Sequence, residues 1–137
     1  MLKISYPLCE IGYTLNVPAE DVWDFITDTT RWPKWGPSVI AVDCNDRYIK
    51  KGARGRVRIP LGLWVPFVIT DYKDKTYWSW KIWGIRATGH RTEPIDERRC
   101  TLIFDVPALA APYLIICWIA IRRIQNLLKR ERNSSQN

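Results

Sequence analysis

At 137 residues the chain has the length of one domain, enough to bury a core of its own. Hydrophobic residues make up 47% and charged ones 26%, which excludes a disordered or collagen-like chain. The net charge of +7 suits anionic ligands, nucleic acid or an acidic membrane surface without choosing among them.

Leu8 to Leu15 alternates, with Cys9, Ile11, Tyr13 and Leu15 on one face and Glu10, Gly12 and Thr14 on the other. This predicts a half-buried strand. Pro18 suits a first helical turn, Glu20 and Asp21 follow, and Val22, Phe25 and Ile26 recur at helical spacing, so a short helix comes next. Asp28 and Thr29-Thr30 interrupt it. Trp32-Pro33 and Trp35-Gly36-Pro37 mark a compact turn region with room for one more helical turn. Residues 38–44 read as a second strand. In residues 53–59, Ala53, Gly55, Val57 and Ile59 alternate with Arg54, Arg56 and Arg58, a strand with three arginines on its solvent side. Residues 64–72, 76–83, 86–93 and 99–106 are four further strands. Asp74-Lys75, Gly84 and Asp96-Glu97 separate them at hairpin-like spacing.

Over residues 108–132 the period becomes that of one long helix. Tyr113, Ile116, Ala120, Ile124, Leu127 and Leu128 share a face, and Pro112 suits its first turn. Residues 108–121 carry no charge, but a spanning helix needs roughly 20 apolar residues, so a buried helix fits better. Toward the C-terminus Arg122, Arg123, Lys129, Arg130 and Arg132 outnumber Glu131. A solvated helix end whose cations complement the helix dipole is the plain account; a basic, apolar helix lying on a membrane surface competes with it. Residues 133–137 are a polar tail, which leaves a single domain over residues 1–132.

The order is a strand, one or two short helices, six strands and a long helix, so the chain is α+β. Meandering strands at this spacing pair antiparallel, and only the C-terminal helix is long enough to cover the seven-stranded sheet. A curved sheet cannot touch a straight helix along its whole length. The space left between them is the candidate site.

Eight tryptophans supply either a bulky core or the walls of an aromatic pocket. Alternation suggests the lining. Ser79 and Lys81 mark a solvent side and turn Trp78, Trp80 and Ile82 inward; Thr101 and Asp105 point out and leave Leu102, Phe104 and Val106 in. Residues 64–72 are apolar on both faces, Trp64, Val68 and Tyr72 against Val65, Phe67 and Ile69, so their orientation stays open. With the helix, the expected ligand contacts are Trp78, Trp80, Ile82, Leu102, Phe104, Tyr113, Ile116, Cys117 and Ala120, each equally suited to plain core.

His90 is the sole histidine, so any imidazole acid–base chemistry falls to it. It shares a face with Thr88 and Thr92, and the pattern does not say which face is inward. Asp71, Glu93 and Asp105 either face solvent or pair with strand arginines; inside an apolar cavity each would have a raised pKa and could act as an acid. No GxSxG, Gly-rich phosphate loop or HExxH is present. Cys9, Cys44, Cys100 and Cys117 form no CxxC or Cys/His cluster, so neither a metal nor a cofactor is expected. Residues 1–9 lack the apolar run of a signal peptide, and the cysteines read as reduced thiols of a cytoplasmic protein. Trp and Arg together could stack on bases, but the basic residues follow no known module, and no nucleic-acid partner is expected.

The stretch Val17-Pro18-Ala19-Glu20-Asp21-Val22-Trp23, then Phe25-Ile26-Thr27-Asp28 and Trp32-Pro33-Lys34-Trp35-Gly36-Pro37, resembles the helix-grip (SRPBCC) superfamily. That superfamily includes polyketide cyclase/dehydrase-like proteins, START-related lipid-binding proteins and the birch pollen allergen fold. Lys51-Gly52-Ala53-Arg54-Gly55, Trp78-Ser79-Trp80 before Gly84, and Gly89-His90-Arg91 before Thr101 continue the resemblance in order over nearly the whole chain. It implies a seven-stranded sheet around a hydrophobic cavity, and binding or transport of a hydrophobic small molecule or lipid there. His90 resembles a histidine that recurs in related sequences, which makes it the candidate catalytic residue under the alternative of a polyketide cyclase/aromatase-type enzyme. Fold alone implies no reaction. Binding of a membrane surface or protein partner through the basic C-terminal helix is the third reading. The isoleucine-rich final helix with Trp118 departs from many relatives and is expected to fill part of the cavity.

Overall fold

The computed structural model describes residues 2–5 and 8–135. Period-2 alternation yields one antiparallel sheet of β1 (Leu2–Ser5), β2 (Leu8–Leu15), β3 (Ala41–Cys44), β4 (Arg54–Arg58), β5 (Trp64–Lys73), β6 (Tyr77–Ile82), β7 (Ile85–Pro94) and β8 (Cys100–Pro107). Their spatial order is β1-β2-β8-β7-β6-β5-β4-β3. The seven strands expected from the sequence are β2 to β8. To these β1 adds a short edge, paired with β2, that sequence patterning did not reveal. From β3 to β8 each strand lies beside the next in sequence, and β2 completes the sheet by pairing with β8, Tyr13 opposite Leu102.

Two register shifts bend the sheet near its middle. One falls in β5 between Ile69 and Asp71, the other in the β6–β7 pairing between Ser79 and Lys81. An extra residue on one strand kinks it and increases its twist. Thr70 also settles the face that alternation left open. Val65, Phe67 and Ile69 are buried on the inner face, and past the shift Tyr72 stands opposite Trp78, with its ring 5.9 Å from that of Trp23.

Between β2 and β3 lie α1 (Ala19–Thr27), a 3-10 turn (Thr29–Arg31) and α2 (Trp32–Trp35). The apolar stripe of α1 buries Val22, Phe25 and Ile26. Asp28 then caps the 3-10 turn, accepting from Thr30 N at 3.0 Å and from Arg47 Nη2 at 3.2 Å. Burial pushes the Asp28 carboxyl up, but the bonds from Thr30 and Arg47 outweigh it and leave the pKa below the ordinary aspartate value.

The terminal helix α3 (Leu114–Ser135) starts later than its apolar period predicts. Ala108–Tyr113 instead forms 3-10 turns with a kink at Ala110. Pro112 lacks an N–H and its ring crowds the preceding turn, so a continuous α-helix cannot run through it. At its far end α3 remains helical to Ser135; the last two residues of the expected polar tail lie outside the described residues. The helix buries Cys117, Ala120, Ile121, Ile124 and Leu128. Its last turns meet α1 and the 3-10 turn after it, with Arg132 3.6 Å from Asp21 and Glu131 bonded to Arg31.

The outer face of the sheet corrects one expectation. Ser79, expected on the solvent side, is fully buried, while Asp105 points outward and pairs with a strand arginine, as the sequence allows, and is only 3% exposed. Gly89 stands opposite Asp105 and, having no side chain, lets neighbours close over the carboxylate. Arg86 Nη2 donates to Asp105 at 2.6 Å, Tyr77 Oη donates at 3.0 Å, and Ser79 donates to Asp71 at 2.6 Å. Burial, and then the charge of Asp105, push the Tyr77 hydroxyl up to about 12.

Candidate functional site

An apolar cavity lies between the inner face of the sheet and α3. Alternation aims Trp78, Trp80 and Ile82 of β6, Thr88 and His90 of β7 and Phe104 of β8 into it. The opposite wall is Ile116, Cys117 and Ala120 of α3, with Tyr113 at the mouth. From the third side α2 inserts Trp32 and Trp35. The Trp32 ring stacks on Trp78 (5.4 Å, 8°) and meets Trp80 edge-on at 5.0 Å, while its Nε1 donates to Ile26 O at 2.9 Å. These indoles occupy most of the gap. The volume left is about 80 Å³.

The imidazole of His90 is 2% exposed and stacked on Trp78, with centroids 3.8 Å apart, and edge-on to Phe104 at 4.6 Å. Its Nδ1 lies 3.3 Å from Trp78 O. A carbonyl only accepts, so Nδ1 carries the proton and Nε2 accepts from the Thr88 hydroxyl at 3.1 Å. The Thr88 oxygen in turn accepts from Trp80 Nε1 at 3.0 Å. Both ring nitrogens are thus engaged. Burial drives the His90 pKa down to about 3, and the ring is neutral at physiological pH. Burial likewise lifts the Cys117 thiol to about 12, which removes it as a nucleophile.

Two indole donors in the same wall, Trp35 Nε1 and Trp78 Nε1, are buried with no acceptor among the described residues. At the mouth the Ser38 and Tyr113 hydroxyls are bonded to each other, joining the segment before β3 to the start of α3. Beside the cavity a second hollow of about 240 Å³ lies between Arg86, Ala87, Val106, Pro107 and Ala110. It shares Trp80, Ile82, Thr88 and Tyr113 with the cavity.

Nine of the ten site residues named from the sequence therefore surround one space: Trp78, Trp80, Ile82, His90, Phe104, Tyr113, Ile116, Cys117 and Ala120. Leu102 does not. It is buried on the same face of β8, but its register partners are Tyr13 and Thr92, one inward step beyond Phe104 and away from the cavity. Trp118 does not fill the space either; it is exposed on the outer side of α3 with the Arg122 guanidinium 5.8 Å over its ring. Sequence reasoning missed Trp32, Trp35 and the segment Gly36 to Val39. Two indoles three residues apart fall on one side of a helical turn, and that spacing was the available signal. Among the described residues no group of His, Cys, Asp and Glu is placed to hold a metal ion.

Several solved structures share this architecture. The Zhui aromatase/cyclase from Streptomyces sp. R1128 matches with a TM-score of 0.69 at 12% identity, over 90% of this chain and 93% of that one. The di-domain ARO/CYC BexL from the BE-7585A biosynthetic pathway matches at 0.69 and 10% identity, over 89% of this chain and 46% of that one. A protein from Nitrosomonas europaea matches at 0.66 and 17% identity, over 95% and 99%. Identities this low establish the fold alone. No curated protein matches the chain. The sequence pattern of one family does match, over residues 12–130, a span that takes in the second half of β2, all of β3 to β8, the cavity and most of α3. The chain belongs to the polyketide cyclase / dehydrase and lipid transport family.

Proposed function

We propose that the protein binds a slender apolar small molecule or lipid carrying an acceptor oxygen, and holds it between the sheet and α3. Ligand pockets usually span roughly 300–1,000 Å³, and even benzene takes a cavity of about 150 Å³. The inner space of about 80 Å³ is smaller than either. The guest accordingly lies mainly in the second hollow and sends a thin end that carries its acceptor oxygen past Tyr113. The observation that carries the reading is the pair of donors, Trp35 Nε1 and Trp78 Nε1, without an acceptor among the described residues, in a wall whose Thr88 and His90 are already hydrogen-bonded. A buried donor left without a partner costs about 1–3 kcal/mol, which a guest carbonyl or ester oxygen would recover.

Binding is better supported than turnover by a cyclase-type enzyme. The cavity wall contains no carboxylate, and its one imidazole is neutral with both nitrogens engaged. The four cysteines are free thiols, which suits a cytoplasmic setting. The basic end of α3 is a weaker partner surface than its charge suggests, because Glu131 and Arg132 face Arg31 and Asp21 of the same chain.

The test is a comparison of a medium-chain methyl ketone with the matching alkane by calorimetry. Wild type is expected to prefer the ketone about tenfold, the worth of one hydrogen bond, and Trp35→Phe to erase that preference. Ala120→Leu fills the space from the helix side. It should abolish binding of both probes while shifting stability by less than about 1.5 kcal/mol, because the added carbons enter existing space. Undiminished binding by Ala120→Leu would place any guest elsewhere and sink the proposal.

A further inference from the structure

Because neighbouring strands all run antiparallel, the connections collect at two ends of the sheet. One end carries the β4–β5 and β6–β7 turns, the segment leading into β3 and the start of α3. The segments that build it, residues 36–42, 58–70, 81–92 and 106–121, contain no Asp or Glu. The opposite end carries Glu20 and Asp21 on α1, Asp74 at the β5–β6 turn and Asp96 and Glu97 at the β7–β8 turn.

The acid-free end is also the oily one. Leu61 (86% exposed) and Leu63 stand on the β4–β5 tip, and Trp83 (70%) and Ile85 (72%) on the β6–β7 tip. The exposed cations Arg58 and Lys81 flank them. Trp83 is also held in an unusual backbone. Trp83 and Gly84 have φ of 56° and 77°, the left-handed pair of a two-residue hairpin turn, where Asn-Gly is the sequence with least strain. A bulky side chain in that position is a rare outlier, and strain retained at an exposed aromatic points to a use outside the chain.

We infer that this end docks on an anionic lipid surface. Trp83, Leu61, Leu63 and Ile85 enter the boundary between headgroups and acyl chains, and Arg58 and Lys81 meet the anionic headgroups. An indole suits that boundary, with an apolar ring and a polar N–H. The mode is peripheral, as no helix among the described residues is long and apolar enough to cross a membrane. Ser38 and Tyr113 lie at the same end, so docking turns the cavity mouth toward the lipid. The inference does not depend on what the cavity holds, and its test measures no guest.

Flotation of the full chain with phosphatidylcholine vesicles, with and without phosphatidylserine, tests it. Partitioning is expected to be about tenfold stronger with phosphatidylserine and to weaken as salt rises. Trp83→Asn should lower partitioning about tenfold through loss of the buried ring, while its Tm stays level or rises because Asn relaxes the turn. That pairing separates lost docking from lost folding. The inference is overturned by absent vesicle binding, by wild-type binding in Trp83→Asn, or by self-association of the free protein that Trp83→Asn abolishes. The last result would assign the surface to a second copy of the chain.

Discussion

Protonating His90 would place a cation between Trp78 and Phe104, in a wall without a carboxylate, and would turn Nε2 into a donor facing a hydroxyl that now donates to it. The folded pKa is about 3 against an ordinary 6.5. Between those values the unfolded chain binds more protons than the folded one. Stability is therefore complete above about pH 6.5 and is lost as pH falls toward 3, at a limiting slope of about 1.4 kcal/mol per unit. Urea denaturation between pH 7 and pH 4.5 should show this decline, and His90→Gln should flatten it. Asp28, whose pKa is lowered from 3.8, adds its own loss only in more acid solution. That the chain has one histidine could be read at once; its inward orientation could not. Residues 86–93 carry small or polar groups on both faces, and the deciding feature is Gly89, whose outward side is taken by the Tyr77 hydroxyl and the Asp105 carboxylate.

That glycine matters most for how β6, β7 and β8 lie against one another. A Cβ on Gly89 would overlap the Tyr77 hydroxyl and stand 2.5 Å from Asp105 Oδ1. It would push apart a buried carboxylate and the arginine that neutralises it. Gly89→Ala is expected to cost about 2–4 kcal/mol, from overpacking and a weakened ion pair, measurable as a lower urea midpoint with unchanged slope. Most strands were legible because alternation at hairpin spacing has few other readings. The extra residue at Thr70 was not, because a period of two cannot register a single insertion. The delayed start of α3 follows from Pro112, which suits a first helical turn by its sequence position and instead ends a segment of 3-10 turns.

Across the molecule, the eight tryptophans divide between both uses that composition allowed. Trp23, Trp32, Trp35, Trp78 and Trp80 are buried, whereas Trp64, Trp83 and Trp118 are exposed. A curved sheet gripping a helix could be foreseen from strand count and helix length. The narrowness of the space inside could not, because it depends on a four-residue helix, α2, folding its indoles across the sheet. Nor does linear sequence display the segregation of acidic residues to one end, since the segments concerned are scattered along the chain and meet only through the antiparallel order.

The pairing of β2 with β8 has a further consequence for biosynthesis. During translation Leu8 to Leu15 leaves the ribosome long before Cys100 to Pro107, its partner across most of the sheet, and α3 follows later still. The oily side of that early strand has no native cover until β8 and α3 have followed it. Released chains should fold on the millisecond-to-second scale common to such distant pairings, as stopped-flow fluorescence can measure. Chains arrested after Pro94 should stay protease-sensitive throughout.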